Sequence, residues 1–174
     1  MTDTQKNILK DLQASDPKIV LDAIKKSRKE GNVKIFKAIV ETLKNTDEPE
    51  IESAIIEFLF DLKDESSISI LIDAIQDDEM DYYRSFLVAT FWQSALDGSN
   101  HLDVFVKSAI NSDYMTTLEA LTVVENFDCP FNESLIQECM IDLADAAENE
   151  TNEDKKALLQ SFYKVVQALP VEGE

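Results

Sequence analysis

Chemistry at a protein site begins with side chains that bind a metal, move a proton near neutral pH, or attack a carbon centre. This chain holds one histidine, His101, and two cysteines, Cys129 and Cys139. A zinc centre draws on several Cys or His ligands, and these three residues are all the sequence offers. Dinuclear carboxylate centres in helix bundles use Glu-x-x-His motifs, and none occurs. A catalytic histidine needs a nucleophile to activate or a carboxylate to orient it. His101 instead opens a helical pattern and reads as a surface or capping residue. Cys139 sits on an apolar stripe and reads as a core residue. The densest acidic run, Asp77-Asp78-Glu79-Met80-Asp81, lacks the alternating ligands and central glycine of a calcium loop. It suits a turn between helices, where carboxylates favour the next helix N-terminus. Gly31, Gly98 and Gly173 stand too far apart for a phosphate-binding loop. No catalytic residue, metal or cofactor is therefore expected, and the chain reads as a non-enzyme. One feature supports an alternative. Tyr82, Tyr83, Phe86, Phe91 and Trp92 fall within eleven residues. They either fill a core or line a pocket near Trp92 in a helical ligand-binding protein or enzyme.

The layout of charge says more than its total of −19. Residues 1–46 hold ten Lys/Arg against six Asp/Glu. Residues 47–154 hold three (Lys63, Arg84, Lys107) against 27, and residues 155–174 hold three against two. From Ser108 to Asp154 there is no basic residue at all. A nucleic-acid binder needs a basic surface that releases counterions from phosphates. Only the first 46 residues could supply one, so nucleic acid is not expected as a partner. A protein or peptide with a basic surface fits better; the plainer reading is that the acidity keeps the protein soluble. The N-terminus lacks a charged-then-apolar signal pattern, and no apolar run is long enough to span a bilayer. No lipidation motif or CxxC occurs. These features point to a cytoplasmic protein with no membrane association.

Apolar residues make up 44% of the chain, with three Gly and four Pro. So few turn formers argue against sandwiches and nucleotide-binding α/β folds and for an all-α class. The periodicity supports this. A leading helix is expected over 3–14. Ser15-Asp16-Pro17 then places a cap and a first-turn proline before the next helix, which Gly31-Asn32 ends. Phe36, Ile39, Val40 and Leu43 recur at i, i+3, i+4, i+7. Pro49 opens another helix, with Ile51, Ile55, Phe58 and Leu62 on one face, and Ile68, Leu71, Ile72 and Ile75 mark its return. Residues 80–96, including Ala95, read as one helix that is apolar nearly all round and packed on several sides. Helices are also expected over 113–127, 132–149 and 153–169, with Pro170 as the stop. Residues 1–170 read as one domain and 171–174 as a disordered tail.

Positions recur at a fixed period. Pro17 and Pro49 are 32 apart, as are Ala23, Ile55 and Leu87 in turn. Ile39, Ile75 and Ile110 follow at 36 and 35. Two helices per unit at this period indicate stacked helix pairs. The unit at 47–79 resembles a HEAT repeat of the armadillo-like helical superfamily. Asp47, Pro49, Ile51, Leu59 and Leu62 match the family's first helix. Leu71, Ile72, Ala74, Ile75, Asp77 and Glu79 match its second. The resemblance is closest over 16–79 and extends through 112. It implies a right-handed α-α superhelix, a HEAT-like α-solenoid of about four helix pairs plus terminal helices. It also implies an arginine in each first helix, tied to acidic turn residues. That position holds Val20, Glu52 and Arg84 in successive units, so a stack resting mainly on apolar packing is expected.

Such stacks line their concave side with the return helices. The polar positions there are Lys34, Lys37, Asp73, Gln76, Lys107 and Asn111. The fourth return helix adds Gln137, Glu138, Asp142 and Asp145. This row runs from basic to acidic, so it makes no continuous groove for DNA. The expected partner site is Asp73, Gln76, Lys107, Asn111, Glu138, Asp142 and Asp145, and the expected role is a HEAT-like protein interaction module. A purely structural role in a larger assembly is a third possibility. Repeat architecture specifies shape and leaves activity open.

Overall fold

The computed structural model describes residues 1–94 and 96–173; Ala95 of the expected apolar helix, and Glu174, lie outside the described residues. The chain is all-helical. In order the helices are α1 (Asp3–Asp11), α2 (Pro17–Glu30), α3 (Val33–Asn45), α4 (Pro49–Phe60) and α5 (Ile68–Gln76). Then follow α6 (Arg84–Ser94), α7 (Leu102–Asn111), α8 (Tyr114–Glu125), α9 (Glu133–Asn149) and α10 (Glu153–Gln167). Short 3-10 turns occupy Glu65–Ser67, Asp78–Tyr83 and Ser99–His101.

Most helix starts are set by local chemistry. Thr2 and Gln5 form a reciprocal capping box at α1. Asp16, Asn32, Asp113, Asn132 and Asn152 each accept a backbone N–H of the helix they open. Pro17 and Pro49 take the first helical position, where a missing N–H costs nothing. Gly31 closes α2 without a left-handed turn, at φ −65°. Glycine is needed there for room: a Cβ would sit 2.5 Å from the Ser27 carbonyl oxygen.

Helices pack on their second neighbours in two series. α2, α4, α6, α8 and α10 follow one another on one side, and α1, α3, α5, α7 and α9 on the other. The faces between the series form one apolar core, with Ile35, Ile39, Leu43, Ile55, Leu59, Leu71, Leu87, Phe105 and Phe162 at most 1% exposed. Each such side chain contributes about 1.5–3 kcal/mol by burial, whereas an exposed ion pair gives about 0–1. The interior therefore dominates stability.

The expected single helix over 80–96 is corrected. The chain runs as a 3-10 turn through Tyr83, and the α-helix begins at Arg84. Nor is the segment packed all round: Tyr82 is 78% exposed, and Phe86 and Trp92 are 39% exposed. Polar competition explains the break. The Asp77 side chain accepts the Glu79 N–H and starts a tight turn, while Met80 and Tyr83 anchor it in the core. Residues 170–172 are held as well. Phe131 donates its N–H to the Pro170 carbonyl at 2.8 Å, and Glu172 donates to Phe131 at 3.0 Å.

Arg84 is the most connected buried polar group. Only 7% exposed, it donates to the Ile75 carbonyl (2.9 Å), the Asp77 carbonyl (3.1 Å), the Ser112 hydroxyl (3.0 Å) and the Asp81 carboxylate (2.5 Å). One guanidinium thus closes the C-terminal ends of α5 and α7. The other units use different ties: Arg28 pairs with Asp61, and the Tyr83 hydroxyl donates to Glu52. Glu52, standing where the resemblance places arginine, is thus an acceptor for the 3-10 turn that precedes α6. Apolar packing is supplemented by polar clasps that the expectation of a mainly apolar stack omitted.

Replacing Arg84 by Met keeps the stem but strands the buried Ile75 carbonyl and removes the links to Asp77, Asp81 and Ser112. Urea unfolding should show a loss of about 2–4 kcal/mol, and Arg84→Lys should recover only part of it. Gly98 packs so closely on two buried rings that a Cβ would lie 2.8 Å from Phe91 and 2.9 Å from Phe105. Gly98→Ala should therefore cost about 1–3 kcal/mol, read as a lower thermal midpoint.

Candidate functional site

The expected partner site lies on α5, α7 and α9, which pack in succession. Asp73, Gln76, Lys107, Asn111, Glu138, Asp142 and Asp145 are all exposed, as are Lys34 and Lys37 on α3. Period explains it: each lies opposite its helix's buried stripe, such as Leu71, Ile72 and Ile75 on α5.

The structure gathers some of these residues and separates others. Gln76, Lys107 and Asn111 line one shallow cleft of about 250 Å³ between α5 and α7, with Arg84 and Ser112 at its base. Asp73 is not part of its lining. Lys107 is paired with Asp103 at 3.1 Å along α7, so it adds little free positive charge. Glu138, Asp142 and Asp145 form a separate stripe on α9 at i, i+4 and i+7. Among the described residues, no cationic side chain lies within ion-pair distance of any of the three.

The aromatic cluster divides between core and surface. Tyr83 and Phe91 are buried, whereas Tyr82, Phe86 and Trp92 reach the surface. The Trp92 indole N–H donates to Glu119 at 2.6 Å on the outside of α6 and α8. The aromatic core runs elsewhere, from Phe91 to Phe105 (5.0 Å), Phe127 (6.0 Å) and Phe131 (5.8 Å). Phe127 and Phe131 flank Cys129-Pro130, and their spacing was the available signal. Two larger concavities were also missed. One, of about 520 Å³, lies between the α2–α3 and α4–α5 turns beside Phe36 and Phe58. The other, of about 500 Å³, lies between α9 and α10. Both gather residues from separate turns or helices, which no linear spacing reveals.

His101 ends a 3-10 turn and makes no side-chain capping bond. Among the described residues, no group of three or more His, Cys, Asp or Glu is placed to hold a metal ion. Burial pushes the Cys139 thiol up to about 11, so it stays protonated near neutral pH and is a poor nucleophile. No described helix is long and apolar enough to cross a membrane.

The acidic turn after α5 is structurally employed. Lys44 of α3 reaches Asp77 at 2.9 Å and also pairs with Glu79. The hydrogen bonds that Lys44 donates to Asp77 and Glu79 raise the lysine's pKa. Lys44, then the Glu79 N–H, hold the Asp77 carboxyl below its ordinary value of 3.8. A carboxylate with a depressed folded pKa stabilises above its unfolded pKa and loses that contribution as pH falls through the folded one. Asp77→Asn, which keeps an acceptor for Glu79 but loses the charge, should be less stable than the parent near pH 7. In urea unfolding, the gap should close as pH falls below about 4. No known protein-family model matches the chain, and a search of curated proteins finds none similar to it.

Proposed function

We propose that this chain is a HEAT-like α-solenoid of one domain, residues 1–170, with a right-handed superhelical path. In this reading it is a non-catalytic cytoplasmic scaffold that binds a basic protein or peptide. The alternate-helix packing supports the architecture, since each pair offers an apolar face that the next pair covers. So does one clasp of the same span in each series: Arg28 of α2 reaches Asp61 after α4, and Lys44 of α3 reaches Asp77 after α5, both 33 residues apart.

The observation that carries the binding reading is the acidic stripe Glu138, Asp142 and Asp145, which no described cation pairs, on the helix packed next to α7 and in a stretch of chain, Ser108 to Asp154, without any basic residue. Carboxylates with no internal partner keep their field for an incoming one. The row grades from Lys34 and Lys37 to this stripe, so a basic segment would meet favourable charge only over its acidic end. The residues assigned to the interface are Asp73, Gln76, Lys107, Asn111, Glu138, Asp142 and Asp145.

A lysine- and arginine-rich peptide should bind, and its affinity should fall by at least about ten-fold between roughly 50 and 500 mM salt. The triple variant Glu138→Gln, Asp142→Asn, Asp145→Asn should weaken binding and flatten the salt dependence. Isothermal titration across the salt series measures both. Binding unmoved by salt, or partners that are all acidic, would overturn the reading.

A further inference from the structure

The groove between α9 and α10 has two unlike edges. Its floor is Ala144 and Ala147 from α9 with Tyr163 from α10, over Leu143. Glu148 stands on the α9 edge, and Lys156 and Lys164 on the α10 edge. The two alanines leave a hollow where larger side chains would form a ridge. One helical turn before Ala144, on the same face, Ile141 is 61% exposed. The carboxylates of Glu138, Asp142 and Asp145 surround that isoleucine on α9. An apolar strip thus runs from Ile141 into the groove, with negative charge along one side and two lysines, two turns apart, along the other.

We propose that this groove seats an amphipathic helix of a basic partner protein, with Ile141 and the alanine hollow taking its apolar stripe. The inference rests on the reading of a basic partner and names where and how that partner is gripped. An amphipathic helix matches the shape, because side chains at i, i+3, i+4 and i+7 fill such a channel in register. Charge complementarity fixes the rest. The flank of the helix over α9 carries Lys or Arg, and the flank over Lys156 and Lys164 carries Asp or Glu. Turning the helix end for end would swap its flanks, so the two charged edges also select one direction of docking. A second copy of the chain is a worse occupant. Each copy carries −19, and α9 alone exposes five carboxylates (Glu133, Glu138, Asp142, Asp145, Glu148) against the two lysines of the groove. Two such faces would repel at low salt.

The test uses the full chain and a labelled synthetic peptide of about 16 residues, a length that spans the groove as a helix. The peptide has a leucine stripe, lysines on one flank and glutamates on the other. Fluorescence anisotropy should show binding, with a scrambled peptide of the same composition weaker by at least about ten-fold. Ala144→Arg, which fills the hollow from an exposed position, should cost about ten-fold or more. Ile141→Ser, also on the surface, is the second probe, and circular dichroism and the thermal midpoint establish that both variants fold. If a simple basic peptide binds with strong salt dependence while the scrambled peptide and both variants change nothing, the groove is overturned and the basic-partner reading stands. If neither peptide binds, both fall. If sedimentation instead shows a dimer that Ala144→Arg dissociates, with no peptide bound, the occupant is a second copy and the proposal is wrong.

Discussion

Every helix from α3 to α8 must satisfy neighbours on more than one side, because it packs on the helices two before and two after it in the chain. That constraint organises the molecule. Ile55 on α4, Leu87 on α6, Leu71 on α5 and Phe105 on α7 are at most 1% exposed, which no isolated helix pair could achieve. Burial of this kind is additive along the chain and non-directional, so it holds the layers together without fixing where one helix ends against the next.

The polar clasps supply that direction. Arg84 closes two helix ends at once, and Lys44 ties the end of α3 to the turn after α5. At the far end Lys155 donates to the Ile110 carbonyl at 3.0 Å and pairs with Glu150 at 3.1 Å. Each satisfies carbonyls or carboxylates at helix termini, the groups that helices leave open. Arg28, Lys44, Arg84 and Lys155 are occupied in this way. Glu138, Asp142 and Asp145 of α9 have no cationic side chain within ion-pair distance among the described residues.

The same division separates carboxylates that serve the fold from those assigned to the proposed partner. Acidic residues that accept caps and clasps, such as Asp77, Asp64 and Glu150, are held below their ordinary pKa by backbone N–H groups and lysines. They belong to the fold. Glu138, Asp142 and Asp145 do no such work, and Ile141 among them is an apolar group left in water. A surface that spends apolar area and unpaired charge at one place is the natural place to look for a partner.

The sequence by itself determined the helices. Apolar positions at 3.6-residue spacing, Asp and Asn caps and first-turn prolines are local signals, and they located nearly every element to within a few residues. It also determined which side chains on α5, α7 and α9 face water, because exposure follows from the period of a single helix. Tertiary structure alone decided how Tyr82 through Trp92 divide between core and surface, since that depends on the Asp77 turn and on which neighbours cover α6. It alone decided that Glu52 serves Tyr83, that Gln76, Lys107 and Asn111 share a cleft, and that α9 and α10 frame a groove. Those are relations between residues far apart in the chain, set by packing and helix-end clasps, and no pattern confined to one helix encodes them.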